Sequence, residues 1–115
     1  MKIAIVGSRS FNDYAILENW ILSHTADETI SLVISGGAMG ADRLAERFAF
    51  NHNIPMKVII PNWDQDGRTA GVQRSIKIIK EADVCFVFWD GLSRGTRYSI
   101  ELCQRYGKPT YICRF

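Results

Sequence analysis

"VCFVFWDGLSRGT" (Val84–Thr96) decides how this chain is read. Its first six residues are apolar without interruption, and the run stops at Trp89-Asp90 before a series of small residues and one arginine. Such a run, bounded by turn residues, marks a strand buried on both faces, which belongs in a parallel sheet covered by helices. The small residues and the cation behind it need a separate explanation.

The same arrangement recurs along the chain. "KIAIVGS" (Lys2–Ser8) is a short apolar strand ending in glycine, and "SLVISGG" (Ser31–Gly37) repeats it. "MKVIIP" (Met56–Pro61) reads as a third strand, Val84–Asp90 as the fourth and "TYICRF" (Thr110–Phe115) as the fifth.

Helical spacings separate them. Leu17, Trp20, Ile21 and His24 share one face, with Asn12 or Asp13 placed to cap its start. Ala41, Leu44, Ala45, Phe48 and Ala49 form an amphipathic stripe. Val72, Ile76 and Ile79 mark a third helix ending near Ala82-Asp83. A fourth runs from about Thr96 to Gly107, with Pro109 just beyond.

Alternation at this interval implies βαβ units with right-handed crossovers. The expected fold is α/β: a three-layer, Rossmann-like, doubly wound parallel sheet of five strands in the order 3-2-1-4-5. A chain of 115 residues supports one core, so residues 1–115 are read as a single domain.

With 47% hydrophobic and 23% charged residues, the composition excludes a disordered or low-complexity chain. No apolar stretch approaches the about 18 residues that cross a bilayer, and no leader pattern follows Met1-Lys2. A cytoplasmic protein without membrane contact is the expectation. Cys85, Cys103 and Cys113 lack metal-ligand spacing and read as buried, reduced thiols. Asp64 and Asp66 alone do not make a metal site, and none is expected. His24 and His52 read as structural or exposed, with neither a carboxylate nor a nucleophile arranged for catalysis.

In an open parallel sheet, ligands bind beyond the carboxyl ends of the strands, at the reversal of strand order. The turns at that end are Gly7-Ser8-Arg9, Ser35-Gly36-Gly37 and Asp90 to Thr96, with a longer loop "NWDQDGRTAG" after the third strand. The turns at the other end ("HTADETIS", "NHNIP", "EAD", "YGKP") lack glycine-and-arginine character. That asymmetry has a physical reading. Glycines let successive backbone amides approach an anion, and a helix start adds free donors. Ser8, Ser35, Ser93 and Thr96 supply hydroxyls, while Arg9 and Arg94 can grip phosphate oxygens. The first and fourth turns should face one another and hold a phosphate or pyrophosphate.

"GSRSFNDY", "VISGGAMGADRLAERFA", "NWDQDGRTAGVQRS" and "ADVCFVFWDGLSRGT", in that order, resemble the small YspA-like proteins of the SLOG superfamily. These are Rossmann-like relatives of the LOG phosphoribohydrolases and of DprA. The resemblance implies a nucleotide-derived ligand, ADP-ribose-like, NAD-related or a signalling nucleotide. It places Gly7, Ser8, Arg9, Gly36, Gly37, Asp42, Arg74, Gly95 and Thr96 in the family pocket. Two departures matter. The family's "AGPxRN" reads "AGVQRS" here, and the LOG motif "PGGxGTxxE" has no counterpart carboxylate three residues after Thr96. No catalytic residue is therefore carried over, and no cofactor is expected.

Several residues stay open at this level. Arg74 is either a pocket cation or a solvated helix arginine, and Arg68 is equally undecided. Asp42 either bonds a ribose hydroxyl or favours a helix start. Trp63 and Trp89 either stack on a base or pack.

The leading expectation is a sensor or sequestering protein that binds a nucleotide derivative without turnover, through Gly7, Ser8, Arg9, Ser35, Gly36, Gly37, Asp42, Arg74, Asp90, Ser93, Arg94, Gly95 and Thr96. The alternative is an N-glycosidic hydrolase using Asp42, Glu46 or Glu101. A third reading, by analogy with DprA, is single-stranded DNA binding. A net charge of only +2 counts against that, so nucleic acid is not expected as a partner. Two open sheet edges make a homo-oligomer the expected state.

Overall fold

Alternate side chains of the central strands enter two different cores. The computed structural model describes residues 1–115. Its five strands are β1 (Lys2–Gly7), β2 (Leu32–Ser35), β3 (Met56–Val58), β4 (Val84–Trp89) and β5 (Thr110–Arg114). All pair in parallel, in the order β3-β2-β1-β4-β5. The α/β, Rossmann-like fold and its strand order are as the alternation of apolar runs and helical stripes requires.

Ile3 and Ile5 of β1 and Phe86 and Phe88 of β4 point to one face. There they meet Leu17 and Ile21 of α1 (Tyr14–Thr25) and Ala45 and Phe48 of α2 (Ala41–Asn51). Ala4, Val6, Cys85 and Val87 point to the other face. Ile78 and Ile79 come down on them from α4 (Ala70–Glu81), and Leu102 and Cys103 from α5 (Arg94–Arg105). The period of two turns a continuous apolar strand into two half-strands, each feeding its own layer. A side chain such as Phe86, fully buried, would cost about 3–5 kcal/mol to truncate to alanine.

Helix starts follow their capping residues. Asp13 accepts a hydrogen bond from the Ile16 amide at 3.1 Å and opens α1. Ser93 caps α5, so that helix begins at Arg94, two residues before the expected start near Thr96. The region after β3 differs most from a plain loop. Asn62 caps a four-residue helix, α3 (Trp63–Asp66), and a 3-10 turn over Gly67–Thr69 leads into α4. β3 itself stops at Val58. Ile59 still donates to the Ser35 carbonyl at 2.8 Å, but Ile60 is exposed and Pro61 has no amide to continue the ladder.

The histidines lie away from the carboxyl ends of the strands. The His24 ring packs against Trp20 and Tyr111, and His52 pairs with Glu18 at 3.0 Å. No helix is long and apolar enough to cross a membrane.

β1 ends under severe crowding. A Cβ added at Gly7 would lie 2.4 Å from the Phe88 carbonyl oxygen and 2.8 Å from the Ala41 Cβ. At Gly95 it would meet nothing within 4 Å. Gly7→Ala should therefore lower stability by about 1–3 kcal/mol or more in urea unfolding, while Gly95→Ala should leave it unchanged or slightly raised. Equal midpoints for the two variants would contradict the packing described.

Candidate functional site

Because β1 and β4 are neighbours, the turns that follow them share one space. The Ser8 amide donates to the Phe88 carbonyl at 2.8 Å, and the Asp90 amide donates to the Ser8 hydroxyl at 3.2 Å. Thr96 Oγ1 lies 3.5 Å from Ser8 Oγ and 3.1 Å from Ser93 Oγ, giving a short chain of hydroxyls across the two turns. Asp90 Oδ1 accepts from the amides of Leu92 and Ser93, each at 2.8 Å. Those amides hold its carboxyl below the usual carboxylate range. Asp90 thus shapes the turn as well as bordering the cleft.

The amides of Arg9 and Ser10, and those of Arg94 and Gly95 in the first turn of α5, donate to no protein acceptor. They are free donors beside two guanidinium groups. An anion is the natural complement.

The β2–α2 loop closes the floor. Gly40, at φ 75°, sits so close to the first turn that a Cβ there would be 2.5 Å from the carbonyl oxygens of Ser8 and Arg9. Asp42 is buried and accepts from the Ala38 amide at 3.2 Å. Its pKa is pushed up to about 6 by burial, against the opposing pull of the Ala38 and Gly36 amides and of Arg74 and Arg9. Arg74 Nη1 donates to the Gly36 carbonyl at 3.2 Å, so this arginine faces the cleft rather than solvent.

A cleft of about 810 Å³ results. Of the residues singled out in the sequence, Gly7, Ser8, Arg9, Gly36, Asp42 and Arg74 line it from one side. Asp90, Ser93, Arg94, Gly95 and Thr96 line it from the other. Ser35 and Gly37 do not. The Ser35 hydroxyl is fully buried, donating to the Asp42 carbonyl at 3.3 Å and accepting from the Gly37 amide at 3.2 Å. Gly37 faces β3 instead, against the Val58 side chain.

Of the undecided residues, Arg68 and Trp63 border the cleft, whereas Trp89 packs. The Trp89 indole donates to the Ser93 carbonyl at 3.1 Å, and Arg114 lies over its ring. Among the lining residues that sequence reading missed are the polar Ser10, Ser75, Tyr98 and Ser99. Ser99 was within reach, since it lies three residues after Thr96 and so on the same helix face. Glu101 pairs with Arg97 at 3.7 Å on the exposed side of α5 and does not line the cleft. Four arginines, at 9, 68, 74 and 94, therefore face only two carboxylates, at 42 and 90.

The fold is shared with a solved structure, DNA processing protein A from Helicobacter pylori, described for its single-stranded DNA binding mode. The TM-score is 0.73 at 20% identity, over 97% of the present chain and 64% of that one. The chain thus spans less than two thirds of the length of that protein. This likeness corrects two expectations: the one implied by the family resemblance, that the ligand is a nucleotide derivative sensed or sequestered without turnover, and the one drawn from total charge, that nucleic acid is not a partner. The physical reason lies in the averaging: a net charge of +2 sums the whole chain and conceals the arginines gathered at one cleft. In sequence, the chain is 32% identical to the Gene 61 protein of Mycobacterium phage D29, over 94% of its own length and 92% of that relative. Residues 1–65 match the sequence model of the YspA, cpYpsA-related SLOG family. Together with the phage relative, that match shows that the chain belongs to the YspA, cpYpsA-related SLOG family.

Proposed function

We propose that the cleft binds single-stranded DNA, holding the sugar–phosphate backbone across the turns after β1 and β4. The observation that carries this reading is the convergence of four guanidinium groups and four free amides on one open cleft with two carboxylates. Phosphates positioned by backbone amides, hydroxyls and arginines fix a strand without reading its sequence. The solved DNA processing protein A supports the choice of a single strand, since its fold is the one found here.

The strength of such binding depends on counterion release. Each neutralised phosphate contributes about 0.7 to the slope of log affinity against log salt on a single strand. Fluorescence anisotropy with labelled oligothymidylate, across roughly 50–200 mM salt, measures that slope directly. Replacing Arg9 and Arg94 together by glutamine should weaken binding and reduce the slope by about 1.4. An unchanged slope would remove these arginines from the phosphate path, and absence of binding by the native protein would refute the proposal.

Asp42 makes the binding depend on pH. It lies in the cleft with a pKa of about 6, faced by Arg9 and Arg74. Above that value it is ionised and repels a bound phosphate; below it the charge is gone. Affinity for oligothymidylate should therefore rise as pH falls from about 7.5 to about 5.5, and Asp42→Asn should flatten the profile at the tighter level. A titration in which the native protein and this variant run parallel would place Asp42 outside the electrostatic field of the strand.

A further inference from the structure

The three tryptophans are not equivalent. The Trp20 indole donates to the Tyr111 carbonyl at 3.3 Å, and the Trp89 indole to the Ser93 carbonyl at 3.1 Å. Trp63 has no such partner. It is 61% exposed, stacks on no other ring, and carries no cation over its face. Yet it is not adrift on the surface. The Asn62 side chain, accepting from the Gln65 amide at 3.1 Å, fixes the start of α3 and so the position of Trp63 at the border of the cleft beside Arg68.

An indole left in water wastes a large apolar face that a core or an interface would bury. Its position says what covers it. The free amides lie after β1 and β4, whereas Trp63 follows β3, two strands from β1, or about 10 Å by strand spacing. A lone phosphate held at the amides cannot reach that ring. A chain that continues along the cleft past Arg74 and Arg68 can, and the flat groups it carries are bases.

We propose that Trp63 stacks on a base of the bound strand and is the residue that makes the cleft prefer unpaired over paired DNA. The proposal rests on the strand-binding reading above. A duplex hides the faces of its bases, so a stacking ring gains nothing from it, while phosphate contacts alone do not distinguish the two well. Stacking on an aromatic ring accepts any base, because every base has a π-face. Specificity for sequence is not implied.

The test compares the native protein, Trp63→Ala and Trp63→Phe with three probes: oligothymidylate, an abasic sugar–phosphate strand of the same length, and a duplex. The native protein should bind oligothymidylate roughly 5- to 150-fold more tightly than the abasic strand, the range of a single base stack. Trp63→Ala should lose that preference, and its preference over duplex, while holding the abasic strand as the native protein does. Trp63→Phe should keep most of both. Because the ring is exposed, thermal midpoints should stay within a degree or so of one another for all three forms. Equal affinity of Trp63→Ala and native protein for oligothymidylate overturns the stacking role and leaves the phosphate cleft standing. A loss of the same size on both single strands overturns it as well. Failure of the native protein to bind any of the probes overturns the strand-binding reading, and this inference with it.

Discussion

A single backbone hydrogen bond, from the Ser8 amide to the Phe88 carbonyl, ties the site to the sheet. It extends the parallel ladder between β1 and β4 one step beyond the strands, continuing a register in which Gly7 stands beside Phe88. Gly7 can stand there because it has no side chain. Once that bond is made, the Ser8 hydroxyl lies where the Asp90 amide can use it, and the second turn hangs on the first. A slip of one residue between these strands would exchange their two apolar faces and break the same bond. Core and cleft are therefore set by one register, and neither can be altered alone.

The fold could be read from the sequence because its strands are buried on both sides. Only an apolar run without alternation satisfies that position, and β1, β2 and β4 show it. β3 misleads for the opposite reason. "MKVIIP" reads as an edge strand through Pro61, but the strand stops at Val58, Val58 and Ile60 remain exposed, and Pro61 has no amide with which to pair. α3 could not be seen at all, since four residues carry no helical period. Within the site, glycine, serine and arginine after a strand were legible as donors for an anion. Which way each turn residue faces was not. Ser35 and Ser8 follow strands in similar settings, yet the Ser35 hydroxyl is consumed by the backbone of its own loop while Ser8 borders the cleft. Trp63 and Trp89 likewise differ only through their tertiary partners.

The polar interior shows where the protein has left interactions open. No buried side-chain nitrogen or oxygen lacks a partner. The backbone amides of Arg9, Ser10, Arg94 and Gly95 are left without acceptors at the cleft, where water can serve them. Asp42 is the exception in kind: a carboxylate that burial makes easier to protonate, held beside arginines that oppose that tendency. The arginines fix the positive charge of the cleft and two carboxylates temper it; Asp42, which burial makes easier to protonate, loses its charge at a higher pH than Asp90, which neighbouring amides hold ionised.

The turns at the amino ends of the strands contribute nothing to the cleft lining. One of them is fastened to the chain start, where the Met1 amino group donates to the Thr29 carbonyl at 2.7 Å. Another, at Gly107, has open space where a side chain would project. A foreign module spliced into such a turn would ride on the sheet at the end remote from the arginines. An insertion there would leave the lining of the cleft as it is.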